Sequence, residues 1–245
     1  MHHMGLSGPL PPCLTAGYLR QLRSLDLFDN DLTGSLPLSL FNSSLLPTLT
    51  HLDLAFNELS GSLPPSLFIS SALTHLYLSY NALSGPLPKI NSINLRKLDL
   101  SSNALSGAIP EALYTQLPFL EELYLSDNSL VGSISPAIHN LSHTLQRLDL
   151  SFSFLSGPIP PELASISNLS FLHLCCNRFG PAPSRHSSQI SPTSGTSTSP
   201  PTPSAAPTFR LNGATSLACV SSISPEIRSP HPLPPSQAGF SAFLC

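Results

Sequence analysis

The pattern Leu-x-Leu returns through this chain at a nearly constant interval, and that interval restricts the fold more than any other feature. Leu25-Asp26-Leu27, Leu52-Asp53-Leu54, Leu76-Tyr77-Leu78, Leu98-Asp99-Leu100, Leu123-Tyr124-Leu125, Leu148-Asp149-Leu150 and Leu172-His173-Leu174 follow one another at spacings of 27, 24, 22, 25, 25 and 24 residues. A period of this size belongs to architectures that stack one small unit many times, because a single unit cannot bury its own apolar face. Each unit opens L-x-x-L-x-L, as in Leu145, Leu148 and Leu150. The closing alternation is that of a short half-buried strand, with leucines inward and the residues between them outward.

An asparagine column follows the strands: Asn30, Asn57, Asn81, Asn103, Asn128 and Asn177, with Ser153 in the sixth unit. A polar side chain that recurs beside buried leucines must be hydrogen-bonded, and an amide can both donate to and accept from adjacent turns. The column is expected to form a buried ladder joining the coils. Each unit then continues as Asn81-Ala82-Leu83-Ser84-Gly85-Pro86-Leu87-Pro88 does, with glycines at 34, 61, 85, 107, 132 and 157 and prolines at 37, 64, 88, 110 and 160; Ser135 fills the fifth proline position. Glycine is read here as a tight or positive-φ turn and proline as a stop on an irregular back of the coil, where no ladder donor is wanted.

The stretch from Leu95 to Leu113, L-x-x-L-x-L-x-x-N-x-L-S-G-x-I-P-x-x-L, resembles the plant-specific leucine-rich repeat of receptor-like kinases, receptor-like proteins and polygalacturonase-inhibiting proteins. The match covers roughly residues 6 to 180. The resemblance implies an α/β-type repeat solenoid, a right-handed superhelix with a parallel β-sheet on its concave face and an irregular or 3-10 convex side. It also implies recognition of a protein, peptide or glycan on the concave face, at the cell exterior or the outer face of the plasma membrane. Residues 1–21 are read as a partial, uncapped first repeat, since Leu6-Ser7-Gly8-Pro9-Leu10-Pro11 matches the second half of a unit. Residues 22–180 carry seven repeats, and 181–245 a Pro/Ser/Thr-rich tail. The cysteine-paired cap, membrane helix and kinase domain of the family are not recognised, so the chain reads as a fragment or a truncated gene product.

Composition narrows the partners. Charged residues make up 9% of the chain and the formal net charge is -3, which gives no electrostatic reason to expect nucleic acid or an anionic membrane. The start, Met-His-His-Met-Gly-Leu, is not a basic segment followed by an apolar run, and no apolar run is long enough for a membrane span. The run Ser191 to Pro203 is low in complexity and cannot offset its chain entropy, so the tail is expected to be disordered. The short apolar pieces around Phe209 and Phe240 show no periodicity that assigns an element.

Equivalent outward residues of neighbouring strands sit roughly 4.8 Å apart in a parallel stack. The middle column reads Asp26, Asp53, Tyr77, Asp99, Tyr124, Asp149 and His173; the column before it includes His51, His75, Lys97, Glu122 and Arg147. Any one Asp is read as the repeat's own solvated or neighbour-bonded residue. As a patch, His51, Asp53, His75, Tyr77, Lys97, Asp99, Glu122, Tyr124, Arg147 and Asp149 form the expected ligand face, able to hydrogen-bond and to stack. His51 beside His75 lacks a third fixed ligand, so no metal and no cofactor are expected. An open sheet offers no oxyanion hole or water-excluding cleft, so no enzyme is expected either.

The five cysteines, Cys13, Cys175, Cys176, Cys219 and Cys245, are too few to support the fold, and the adjacent pair is read as thiols near a frayed end. Asn42, Asn140 and Asn168 begin glycosylation sequons, whose use requires export. Four functional readings remain: a receptor-like ligand-binding piece, a secreted enzyme inhibitor of the polygalacturonase-inhibitor type, a wall-associated structural protein, and a gene product without a ligand. Stacked leucine layers make one prediction at once. Leu100→Ala, in the middle of the stack, is predicted to cost about 2 to 5 kcal/mol in urea unfolding, and a loss of only a few tenths would contradict the inward placement.

Overall fold

A computed structural model describes residues 5–11, 19–37, 46–65, 72–89 and 94–180, and the strand Ser241–Phe243. Over this range the chain winds as a solenoid in which seven successive coils each contribute one strand to each of two parallel sheets. The first sheet is built from the Leu-x-Leu segments: β2 (Ser24–Asp26), β4 (His51–Asp53), β6 (His75–Tyr77), β8 (Lys97–Asp99), β10 (Glu122–Tyr124), β12 (Arg147–Asp149) and β14 (Phe171–His173). The second is built from the segments after the asparagines: β1 (Ser7–Pro9), β3 (Asp31–Ser35), β5 (Glu58–Ser62), β7 (Ala82–Pro86), β9 (Ala104–Ala108), β11 (Ser129–Gly132), β13 (Phe154–Gly157) and β15 (Arg178–Phe179).

The repeat solenoid and its first parallel sheet follow from the leucine spacing. The glycines of the Leu-Ser-Gly segments take the positive φ expected of them, and the second sheet adds that they do so within strands, ahead of the irregular and 3-10 part of the coil. The segment also alternates, with Leu59, Leu83 and Leu105 fully buried between exposed or half-buried neighbours, so it satisfies the strand period ahead of its glycine. Among the described residues, helical turns lie in the remainder of the coil, as at α1 (Ala112–Thr115) and the 3-10 turns Pro136–Leu141 and Pro161–Ser165. Ser135, standing in the proline column, caps one of them by accepting the Ala137 N–H at 3.2 Å.

The two sheets differ in register. In the first, equivalent residues pair directly: His51 with His75, Leu76 with Leu98, Tyr124 with Asp149. In the second, each strand slides by two residues against its neighbour, so that Thr33 pairs with Glu58 and Gly61 with Leu83. Gly61 shows why the slide needs glycine. Its φ is +82°, in the left-handed region, and a Cβ there would stand 3.4 Å from Ser35 Cβ of the preceding coil.

Between the sheets lies one continuous leucine core. Leu52, Leu54, Leu76, Leu78, Leu98, Leu100, Leu123, Leu125, Leu148 and Leu155 are all at or below 1% exposure. The asparagine side chains stitch this core at one corner. Asn103 Oδ1 accepts the Leu83 N–H of the coil before it at 3.0 Å, while Nδ2 donates to Leu78 O of that coil at 3.0 Å and to Leu100 O and Ser101 O of its own at 3.2 and 3.0 Å. Asn57, Asn81, Asn128 and Asn177 repeat the pattern with their own neighbours. Asn30 Oδ1 likewise accepts from Leu6 N at 3.1 Å. Ser153 reaches only one partner across the coils, donating to Asn128 O at 3.3 Å.

The tail expected to be disordered lies outside the described residues except at Ser241–Phe243 (β16), which pairs parallel with β14 and extends the first sheet by one strand. No periodicity marked that segment. A sheet edge presents unpaired N–H and C=O groups, so a short stretch can join it without any pattern of its own. Asn103→Ala, which strips the amide from two coils at once, should lower unfolding free energy by about 3 kcal/mol. Ser153→Asn, which restores the missing bonds, should raise it by about 1 kcal/mol. Denaturant titration of both variants checks the pair, and a stabilising Asn103→Ala would contradict the ladder.

Candidate functional site

Direct register in the first sheet sets its outward residues in two rows. The row His51, His75, Lys97, Glu122, Arg147 runs beside the row Asp53, Tyr77, Asp99, Tyr124, Asp149, and the structure therefore brings together all ten residues expected on the ligand face. The aspartates are not simply solvated. Asp53 Oδ1 accepts Ala55 N at 3.0 Å, Asp99 Oδ1 accepts Ser101 N at 3.0 Å and Ser101 Oγ at 2.6 Å, and Asp149 Oδ1 makes the same pair of bonds with Ser151. One oxygen of each carboxylate thus fastens the turn after its own strand. Burial pushes the Asp99 carboxyl above its ordinary range.

At one end of the rows the His51 and His75 rings stack at 4.1 Å with planes 11° apart. Their tautomer follows from the threonines beneath them. Thr50 Oγ1 donates to Arg23 O at 2.9 Å and Thr74 Oγ1 to Thr50 O at 2.9 Å. Each hydroxyl hydrogen is therefore used, and the threonine oxygens accept from Nδ1 of His51 and His75 at 2.9 and 2.8 Å. In the neutral rings Nε2 is then the acceptor on both. Burial, with His51 and Lys97 adding repulsion, lowers the His75 pKa from its ordinary value.

The middle of the face is paired across strands. Lys97 Nζ lies 2.8 Å from Glu122 Oε1, and that hydrogen bond raises the lysine pKa. Tyr124 Oη donates to Glu122 Oε2 at 3.1 Å, and burial pushes the Tyr124 phenol up. Arg96 pairs with Glu121 at the margin. At the far end His173 Nδ1 stands 3.5 Å from Asp149 Oδ2; this hydrogen bond raises the His173 pKa, while burial of Asp149 is outweighed by its bonds to His173 and Ser151, which hold its carboxyl below the ordinary range. Among the described residues no group of three or more His, Cys, Asp or Glu side chains is arranged to hold a metal, and no helix is long and apolar enough to cross a membrane.

A feature beside the sheet escaped the sequence reading. Two residues past each Leu-x-Leu the backbone turns into the left-handed region, at Asp29, Phe56, Tyr80, Ser102, Asp127, Phe152 and Cys176, with φ between 50° and 59°. Phe56 and Tyr80 stack there at 4.1 Å, with Phe28 tilted against Phe56 at 5.1 Å. Tyr80 and Phe152 are about half exposed, at 48% and 54%. Aromatic residues are disfavoured at positive φ and gain little burial here, so the core does not require them. The signal was a column two places beyond the strand, visible only once the turn geometry is known.

Of the sequons, Asn42 lies outside the described residues. Asn140 and Asn168 are exposed, and their amides donate to Ala137 O at 2.7 Å and His143 O at 2.6 Å.

A family profile described as Leucine Rich Repeat matches residues 21–43, 48–68, 72–91 and 144–166, and one described as Leucine Rich repeats (2 copies) matches 93–141. The chain is similar to the Arabidopsis receptor kinase HAESA, solved in complex with the peptide hormone IDA and the co-receptor SERK1, at 36% identity and a TM-score of 0.66, over 73% of this chain and 29% of that one. It is similar to PEPR1, solved as PEPR1-AtPEP1, at 35% identity and a TM-score of 0.64, over 71% of this chain and 24% of that one. With Pollen Receptor Kinase 3 the identity is 32% and the TM-score 0.59, over 68% of this chain and 79% of that one. This chain thus spans less than a third of the first two receptors' solved length. No curated protein sequence matches it.

The depressed His75 pKa has a definite consequence for stability. Above the ordinary histidine value the ring is neutral in both folded and unfolded chains; as pH falls below about 6.5 the unfolded chain binds its proton first, and stability is lost. His75→Gln should therefore gain on wild type in urea unfolding at pH 5 relative to pH 8, and an unchanged difference between the two pH values would refute the assignment.

Proposed function

Because this chain belongs to the leucine-rich-repeat family, in the class of plant receptor-like ectodomains, we propose that its first sheet recognises an extended peptide at the outer face of the plasma membrane. The observation that carries the reading is the direct register of that sheet, which lays neighbouring side chains side by side as a continuous strip. A ligand crossing the strands meets the two histidine Nε2 acceptors, then Tyr77 and the Lys97–Glu122 pair, then Tyr124 and Arg147, and finally the Asp149–His173 pair. Such alternation of acceptors, cations and aromatic rings suits a peptide of mixed polarity, whose backbone amides supply donors and carbonyls and whose side chains can stack. Charges already paired within the face contribute orientation more than affinity, because a ligand must compete with the partner each group has. HAESA, solved with a peptide hormone, supports the choice of ligand class over a glycan or a target enzyme. Exposed Asn140 and Asn168 are positions where glycans would attach on export.

The test is selection from a random extended-peptide display library against the full chain, followed by titration of the enriched peptide. Tyr77→Ala and Arg147→Glu should each weaken binding roughly tenfold or more, as central residues of an interface do. Ser84→Lys on the second sheet should leave binding unchanged. A selected peptide that tolerates both first-sheet changes and is lost with Ser84→Lys would overturn the proposal.

A further inference from the structure

Cys175 and Cys176 are adjacent in sequence, and in an extended strand their side chains would point to opposite faces. They do not, because Cys176 takes the left-handed conformation, with φ +59°. The turn folds its side chain back, and the two sulfurs stand 3.3 Å apart as thiols. The sulfurs are unequal. Cys175 is 4% exposed and its Sγ lies 3.5 Å from His173 Nε2, whose other ring nitrogen faces Asp149; Cys176 is exposed. An open groove of about 380 Å³ runs to Cys176 past Asp127 and the exposed rings of Phe152 and Phe154.

We propose that Cys175 and Cys176 are a thiol–disulfide exchange site that reacts with low-molecular-weight disulfides of the glutathione type and closes to a reversible vicinal disulfide. The assignment does not rest on the peptide reading, although Asp149 and His173 also stand at the end of the strip proposed for the peptide. In the first step the Cys176 thiolate, reached through the groove, attacks one sulfur of the small disulfide. A Cys176–sulfur bond forms, the small molecule's S–S bond breaks, and one thiolate leaves and takes a proton from water. In the second step Cys175 gives its proton to His173 Nε2, while Asp149 holds Nδ1–H and stabilises the imidazolium. The Cys175 sulfur then attacks Cys176 Sγ, forming the vicinal bond and expelling the second small thiolate, which recovers the proton from His173. Two protein thiols are oxidised and one small disulfide becomes two small thiols.

His173 is the base in direct contact with the reacting sulfur, and Asp149 is a positioning residue that acts through it. Among the groups facing the ring are Asp149 on the neighbouring strand, Cys175 on its own coil, and Phe171, whose ring meets it edge-on at 5.9 Å. Adjacent residues have Cα atoms only about 3.8 Å apart, below the separation ordinary disulfides adopt. The closed form is therefore easily reduced, which suits a reporting site and not a structural crosslink.

The experiment uses the full chain with Cys13, Cys219 and Cys245 each changed to Ser, incubated with oxidised glutathione and followed by intact mass and peptide mapping. A transient glutathione adduct on Cys176 should give way to a product lighter than the dithiol by two hydrogens, and reduced glutathione should reverse it. Cys175→Ser should stop at the Cys176 adduct, and Cys176→Ser should leave Cys175 unreacted. His173→Gln and Asp149→Asn should form the adduct at the wild-type rate but close it more slowly, roughly a hundredfold for His173→Gln. In His173→Gln the dependence of closure rate on pH should also change, because the imidazole no longer takes the Cys175 proton. Thermal melts of each variant keep a folding defect distinct from a chemical one. A wild-type chain that stays at the adduct, or a pair that stays reduced in a large excess of glutathione disulfide, would overturn the proposal; closure in folded His173→Gln at the wild-type rate would overturn the role of the histidine.

Discussion

The structure depends on one recurrent interaction, the asparagine amide that bonds to two coils at once. A solenoid brings no distant part of the chain to cover its interior, so each coil must satisfy backbone groups at its tight corner with the help of the next. An amide can do this because it offers a donor and an acceptor in one plane. Asn57, Asn81, Asn103, Asn128 and Asn177 each take an N–H from the coil before and give hydrogen bonds to carbonyls of both coils. With that corner closed, leucine side chains can fill the space between the sheets without stranding buried polar groups. Ser153 shows the other side of the same constraint, since a hydroxyl is too short to serve both coils.

Once the corner is held, register decides what each surface can do. The first sheet stacks equivalent residues directly, so chance neighbours in the repeat become lasting partners: two histidines stack, a lysine meets a glutamate, an aspartate meets a histidine. The second sheet slides by two residues per coil and mixes its columns, as when Ser106 pairs with Ser129 and Val131 with Phe154. A face of aligned columns can present a continuous chemical strip, and a face of staggered ones cannot. The same corner geometry forces a left-handed residue into every coil, and it is this residue that brings the sulfurs of Cys175 and Cys176 to one side.

Much of the fold was legible because its period is short and its rules are local. The Leu-x-Leu spacing located every strand of the first sheet from β2 to β14, and the columns read from it are the columns the structure brings into contact. The second sheet was missed because most of its segments carry a glycine and run on toward a proline, residues that ordinarily mark turns. Its strands form only because neighbouring coils supply the hydrogen bonds, which no single unit displays. The aromatic stack of Phe28, Phe56 and Tyr80 was missed for a related reason, since these residues occupy two different columns and meet through a turn. The cysteine pair was seen and set aside, because adjacency alone says nothing about where two sulfurs point.

By itself, then, the sequence determined the repeat, the inward leucines, the asparagine corner and the identity of the residues on the first sheet. These are properties of period and polarity, and both are written residue by residue. The tertiary structure alone decided the second sheet and its two-residue slide, which carboxylate oxygen serves a turn and which faces a histidine, and the closeness of His173 to Cys175. Those depend on how one coil is set against the next, and that relation between coils has no local signature in the chain.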